Sequence, residues 1–86
     1  MVEITEIVYP NLFEDEASSV KDKAIHIRLA KLIAKITANP KVGKPLRFSL
    51  KGERTAYIKP YRLIYAVDGN KLLLLRFEHR KDVYDD

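Results

Sequence analysis

Arg62 and His79 are the side chains best suited to chemistry on a charged substrate, and both fall in one predicted β-hairpin. Two apolar runs flank Gly69-Asn70, a pair that favours a tight two-residue turn. Counting outward from this turn sets Arg62 opposite Phe77 and predicts that Arg62, Phe77 and His79 share one face. The side chains that this register puts on the other face are Arg76 and Glu78. Because a guanidinium binds anions and an imidazole exchanges protons near neutrality, the open end of the hairpin is either a solvated rim or a site.

The segment from Lys41 to Arg62 is strongly basic, whereas the first 19 residues have only acidic charged side chains. The cations of this basic segment are Lys41, Lys44, Arg47, Lys51, Arg54, Lys59 and Arg62, beside Glu53 as its one acid and with Phe48, Tyr57 and Tyr61 between them. Cations interleaved with aromatic rings suit a polyanion, since the cations neutralise phosphates and the rings stack on bases. The alternative is a charged surface that only keeps a small domain in solution.

Several classes of site are disfavoured by composition. The chain has no cysteine and two histidines, His26 and His79, so a thiolate nucleophile is excluded and neither a zinc site nor a cofactor is expected. No apolar run is long enough to cross a bilayer and the N-terminus lacks the pattern of a signal peptide. We therefore expect a cytoplasmic protein without a membrane partner.

The elements that would position these side chains follow from periodicity. Alternation predicts a strand from Val2 to Tyr9, ended by Pro10, and Asn11 is a suitable N-cap for a short helix over residues 12–17. Apolar residues at steps of three and four predict the main helix, from Lys21 to Ala38, and Asn39-Pro40 ends it. Further strands are predicted at residues 46–51 and 54–59, ahead of the hairpin. The order β-α-α-β-β-β predicts one α+β domain over residues 1–86, with both helices on one face of a small antiparallel sheet. The basic segment would line the other, partly open face.

Four segments in this order resemble the RelE/ParE superfamily of toxins from toxin–antitoxin systems. They are Asn39-Pro40 closing a helix, the run from Gly43 to Leu46, Tyr61-Arg62-Leu63-Ile64-Tyr65, and the final His79-Arg80-Lys81-Asp82-Val83-Tyr84. The resemblance covers about residues 20–84, and the last two segments are its specific parts.

This resemblance implies two functions. RelE-type members are endoribonucleases that cut messenger RNA in the ribosomal A site, and an antitoxin silences them. ParE-type members poison DNA gyrase. The ending Asp-Val-Tyr is more similar to the RelE branch, so we expect a ribosome-dependent nuclease that inhibits translation, with messenger RNA, the ribosome and an antitoxin as partners. A catalytically inert member that binds only an antitoxin or RNA is the third interpretation.

The resemblance also implies roles for single residues. Arg62 matches the superfamily's strand arginine and would stabilise the phosphorane charge, and His79 would act as an acid or base. Tyr84 matches the superfamily's C-terminal tyrosine and would either stack on the target base or carry a proton beside the scissile phosphate. The side chains that would add RNA or phosphate contacts are Lys44, Arg47, Lys51, Arg54, Arg80 and Lys81. The structural alternatives are an ion pair of Arg62 with Glu78 or Asp82, a strand cap by His79 and a core anchor by Tyr84.

One departure from the superfamily concerns the general base. The best-studied RelE members have a lysine pair on the strand before the arginine, whereas this strand runs from Glu53 to Ile58 without a lysine. Lys51 and Arg54 lie nearby, but arginine is a poor base because its pKa is far above neutrality. Either His79 supplies the base, or the chain is a slow nuclease, or it is not a nuclease.

Overall fold

Two helices cover one face of a five-stranded sheet. The computed structural model of the chain describes residues 3–46 and 52–82. The elements, in chain order, are β1 (Glu6–Val8), α1 (Asn11–Ser18), α2 (Lys23–Ala38), β2 (Lys44–Pro45), β3 (Arg54–Ile58), β4 (Tyr61–Asp68) and β5 (Lys71–His79), followed by a 3-10 turn (Arg80–Asp82). Their order in the sheet is β1-β5-β4-β3-β2. The predicted α+β class is confirmed.

The sheet is mixed, whereas the sequence predicted a purely antiparallel sheet. β1 pairs in parallel with β5, with Ile7 opposite Leu72, while the other three strand pairs are antiparallel. The sheet has five strands where the order β-α-α-β-β-β counts four, because the hairpin contributes two strands, and the short second strand forms at Lys44–Pro45. The strand predicted at residues 46–51 lies mostly outside the described residues.

The two helices begin and end close to where the sequence places them. Asp22 is the N-cap of α2 and its carboxylate accepts a hydrogen bond from the Ala24 N–H at 2.9 Å, so the helix begins two residues later than predicted. Asn39 is its C-cap, ahead of Pro40. Helix α1 begins at Asn11, with Pro10 instead of Asn11 in the N-cap position.

The core forms where the apolar faces of both helices meet one face of the sheet. Its members from the two helices and the segment between them are Phe13, Val20, Ile25, Leu29 and Ile36, and its sheet members are Ala56, Ile58, Leu63, Tyr65, Leu72, Leu74 and Phe77. Burial of these side chains is the main source of stability in a domain of this size. We call this the core face of the sheet, and the opposite one the outer face.

A β-bulge in β5 changes the register of the central hairpin. The predicted pairs hold next to the turn, from Asp68 with Lys71 to Tyr65 with Leu74. Between Ile64 and Tyr65 the register then shifts by one residue, so that Ile64 lies opposite Arg76. An extra residue in one strand reverses which face later side chains occupy. Arg62 therefore lies opposite Glu78, and the predicted pair of Arg62 with Phe77 is wrong.

Candidate functional site

A row of polar side chains crosses the outer face on three neighbouring strands. Tyr57 on β3 lies opposite Arg62 on β4, and Arg62 lies opposite Glu78 on β5. Their neighbours along the strands, among them Leu63 and Phe77, belong to the core, so alternation turns this row away from the helices. The Tyr57 side chain is exposed, whereas the side chains of Arg62 and Glu78 are only 15% and 13% exposed. The row thus joins an open aromatic ring to a sheltered ion pair.

The ion pair is one part of a chain of alternating charges. Arg62 Nε donates to Glu78 Oε1 at 3.2 Å, and Glu78 Oε2 lies 3.4 Å from Arg76 Nη2. Arg76 in turn grips the Glu16 carboxylate of α1, with Nε at 3.0 and 3.1 Å from the two oxygens and Nη2 at 2.7 Å from Oε2. We call these four residues the charge chain. It ties helix α1 to the outer face of β4 and β5.

Glu16 also closes the edge of the sheet. β1 pairs only with residues 71–73 of β5, so the rest of β5 has no strand on that edge in the described part of the chain. There, Glu16 Oε1 accepts a hydrogen bond from the Phe77 N–H at 2.9 Å. Burial raises the pKa of Glu16, but the hydrogen bonds from Arg76 and Phe77 together with the Arg76 charge outweigh burial, and the net effect is a pKa below the ordinary value. The same hydrogen bonds from Arg76 to Glu16 raise the pKa of Arg76 above its ordinary value.

His79 lies on the other side of the sheet from Arg62. By alternation it shares the core face with Phe77, and its ring meets Tyr61 edge-on at a centroid distance of 5.0 Å. Tyr61 is itself stacked on Phe77 at 4.9 Å. The prediction that Arg62, Phe77 and His79 share one face was therefore wrong, and the bulge is the reason.

The imidazole of His79 has one nitrogen occupied. Nδ1 accepts the Lys81 N–H at 3.0 Å, which puts the proton of the neutral ring on Nε2. His79 lines a groove of about 360 Å³ with the end of α1 and the last residues of β5. It therefore both caps the strand end, as the structural alternative foresaw, and presents its ring to a groove beside the charge chain.

The predicted phosphate-binding cations are dispersed. Lys44 is exposed on β2, and Arg80 and Lys81 are exposed in the 3-10 turn after β5. Arg54 lies opposite Tyr65 and so faces the helices, where its Nη1 donates to the Gly43 carbonyl at 2.7 Å. Arg54 thus anchors a loop on the core face, and the expectation that the basic segment as a whole lines the outer face was wrong for this residue. Arg47, Lys51 and Tyr84 lie outside the described residues.

Two members of the candidate site were missed by the sequence reasoning. Arg76 and Glu78 were placed on the face opposite Arg62, whereas the structure puts Glu78 in contact with Arg62 and Arg76 in contact with Glu78. The four consecutive leucines at residues 72–75 conceal the bulge, because apolar residues at every position satisfy either register. No signal in this run indicates which residue is extra.

Comparison with known proteins settles the family. A family model described as the ParE toxin of the type II toxin–antitoxin system parDE matches residues 8–84. The chain belongs to this family. Toxin RelG of Mycobacterium tuberculosis (strain ATCC 25618 / H37Rv) is 44% identical to this ParE-family chain over 46 residues, which are 51% of this chain and 53% of RelG. The chain thus spans about half the length of this relative.

A solved structure extends the similarity to nearly the whole fold. The toxin–antitoxin complex RelBE2 from Mycobacterium tuberculosis contains a chain that superposes with a TM-score of 0.74 at 26% sequence identity, covering 93% of this chain and 94% of that one. The resemblance to the RelE/ParE superfamily is thereby confirmed for this ParE-family chain. In the described residues no helix is long and apolar enough to span a bilayer.

Proposed function

We propose that this ParE-family chain is a RelE-type toxin, an endoribonuclease that cuts messenger RNA during translation. The observation that carries the proposal is the outer-face row, in which a sheltered guanidinium, Arg62, lies next to an exposed aromatic ring, Tyr57. A planar guanidinium suits the charge of a phosphorane, and an exposed ring suits stacking on a base. The partial likeness to Toxin RelG supports the same branch.

The roles of the other residues follow from where they lie. His79 remains a proposed acid or base, acting from the groove at the end of β5. Tyr84 remains a proposed base-stacking or proton-carrying residue. Lys44, Arg80 and Lys81 are exposed cations that would hold the RNA backbone, and the same contribution is proposed for Arg47 and Lys51. This function requires a cytoplasmic location, because ribosomes and messenger RNA are there.

An antitoxin is the proposed silencing partner. β2 pairs with β3 only at Arg54 and Thr55, so the edge of β3 at residues 56–58 has no strand beside it in the described part of the chain. Open strand edges accept a segment of another chain, and an acidic partner would complement the basic segment. The solved neighbour is itself a toxin–antitoxin complex.

The test is cleavage in a purified translation system, mapped by primer extension. We expect cuts within codons of translated messenger RNA and none in untranslated RNA. Arg62→Ala should slow cleavage by about a hundredfold, the scale seen when a transition-state charge contact is removed. Arg28→Ala is the matched control, because it removes the same charge from the exposed surface of α2 and should leave the rate unchanged. Absence of cleavage by the wild-type chain would refute the nuclease proposal.

A ParE-like gyrase poison is the second candidate, and the family model favours it by its own description. The position of His79 on the face opposite Arg62 favours it too, since a binding protein needs no acid–base pair. Inhibition of gyrase supercoiling by the wild-type chain, with no cut messenger RNA, would select this function.

A further inference from the structure

Glu78 engages both of its carboxylate oxygens with guanidinium groups. Oε1 accepts from Arg62 Nε at 3.2 Å and Oε2 lies 3.4 Å from Arg76 Nη2, in a side chain that is 13% exposed. Glu78 therefore stands where a phosphate bound by Arg62 would meet a close negative neighbour.

The contact at Nε affects orientation. Nε is the inner nitrogen of the guanidinium and lies in its plane, so an acceptor there restricts rotation of the plane about the side-chain axis. Glu78 is itself held, because Arg76 is fixed by three hydrogen-bond contacts to Glu16 of α1. The orientation of Arg62 therefore depends on helix α1, through the contacts of the charge chain.

The same contact affects charge. A carboxylate at 3.2 Å cancels part of the positive potential that Arg62 offers to an anion. A cation that is already oriented needs less reorganisation to reach the transition state, so its orientation favours the rate. The carboxylate beside it nevertheless weakens its attraction for phosphate in the ground state. Glu78 is therefore expected to weaken the binding of phosphate by its charge and to raise the rate of turnover by orienting Arg62.

We propose that Glu78 is a positioning residue for Arg62, and that it lowers the affinity of the outer face for phosphate while raising the rate at which bound RNA is cut. The rate part of this inference rests on the proposed nuclease function. The binding part concerns the charge chain alone. Sequence reasoning placed Glu78 on the wrong face and treated it only as a neutralising partner of Arg62.

Two substitutions separate charge from orientation. Glu78→Gln removes the charge but keeps an oxygen that can accept from Arg62 Nε, whereas Glu78→Ala removes both. We expect each variant to bind RNA several-fold more tightly. Glu78→Gln should keep kcat within about threefold, and Glu78→Ala should lose about 10- to 100-fold in kcat while KM also falls, as expected when a reacting group is misplaced. Glu14→Ala is the control, since it removes an exposed acid of α1 outside the charge chain.

Three measurements decide the proposal. The first is kcat and KM for cleavage of ribosome-bound messenger RNA, and the second is titration of each variant with inorganic phosphate. The third is the Nε–Hε resonance of Arg62 in 15N-correlated NMR spectra, which should shift in Glu78→Gln, broaden or vanish in Glu78→Ala and stay unchanged in Glu14→Ala. Thermal unfolding of each variant verifies that it is folded. If Glu78→Ala does not fold, Glu78→Gln alone tests the proposal.

The outcomes of the two proposals are distinguishable. If the wild-type chain cuts no translated RNA, the nuclease function fails, while the NMR spectra and the phosphate titration still decide whether Glu78 orients Arg62 and weakens its anion binding. If the wild type cuts RNA but both Glu78 variants behave as Glu14→Ala does, the positioning role is overturned. A rise in KM at unchanged kcat for Glu78→Ala would overturn it as well, because that pattern means Glu78 only supports binding.

Discussion

The phenol of Tyr65 shows how a single buried polar atom organises a loop. Its side chain is fully buried, its hydroxyl donates to the Pro40 carbonyl at 2.7 Å and accepts the Gly43 N–H at 2.9 Å. Burial raises the pKa of Tyr65, against the opposing effects of the Gly43 N–H and Arg54. The hydroxyl thereby closes the turn that joins α2 to β2, the strand on which Lys44 lies.

Replacement of this hydroxyl should be costly. Tyr65→Phe leaves the Gly43 N–H and the Pro40 carbonyl without their partner, so we expect the free energy of unfolding to fall by about 1–3 kcal/mol. Urea denaturation monitored by circular dichroism measures the change. Tyr57→Phe is the control, because Tyr57 is 61% exposed and should lose under about 0.5 kcal/mol. Equal losses in the two variants would contradict the role given to the buried hydroxyl.

Gly43 is required by the same contact. A Cβ at Gly43 would lie 2.6 Å from the Tyr65 hydroxyl and 2.9 Å from the Thr55 carbonyl oxygen. Gly43→Ala should therefore destabilise the chain by about 1–3 kcal/mol through overpacking. In the double variant with Tyr65→Phe the costs should be less than additive, because the shorter side chain removes the nearest clash.

Gly69→Ala provides the comparison for this cycle. Gly69 has a positive φ of 62°, and a Cβ added there would have no atom within 4 Å, so the cost of the substitution is one of backbone conformation alone. This cost should add to that of Tyr65→Phe without coupling. Coupling at Gly69 of the size seen at Gly43 would show that the cycle reports a general loss of stability and not the contact.

At the scale of elements, Glu16 joins α1 to the edge of β5. Because the pKa of Glu16 is lower in the folded chain than the ordinary 4.5, its contribution is present above that value and is lost as pH falls through the folded pKa. Glu16→Gln should lower the free energy of unfolding near neutrality by about 0.5–2 kcal/mol. The difference between wild type and variant should then shrink as the pH falls below 4.5.

Urea unfolding at a series of pH values from about 7 to about 3 measures this dependence. Glu3→Gln is the control, since Glu3 is exposed ahead of β1. A wild-type advantage over Glu16→Gln that persists unchanged into acid would contradict the assigned charge interaction. Such a result would leave only the shape of the side chain as the source of stability.

Elements with strong periodicity were predictable, and pairings between them were less so. The apolar spacing of Ile25, Leu29 and Ile36 defined α2, and Gly69-Asn70 defined the hairpin turn. The parallel partner of β1 was not predictable, because a strand of only three residues fits beside several others. Nor was the bulge, since a row of leucines carries no alternation to reveal it.

At the scale of the whole molecule, the open edge of β3 is the surface that the proposed antitoxin complex would cover. If the partner binds this edge, amide hydrogen exchange at residues 56–58 should slow by at least about tenfold on addition of the cognate antitoxin, because newly bonded or shielded amides exchange through rarer openings. Amides of Leu63 to Ala66 in the centre of the sheet are the internal reference and should change little. Protection confined to other surfaces would place the antitoxin elsewhere.

The sequence by itself determined the α+β class and the superfamily and selected Arg62 as a candidate site residue, because periodicity, turn residues and motif order are local properties of the chain. Only the tertiary structure decided which side chains stand beside Arg62. That choice depends on one extra residue in β5, and a shift of one residue reverses the face of everything beyond it. The shift separated His79 from Arg62 and brought Glu78 into contact with it, and Arg76 into contact with Glu78. Strand pairing and the contact with α1 select this register, because the leucines of residues 72–75 fit either one.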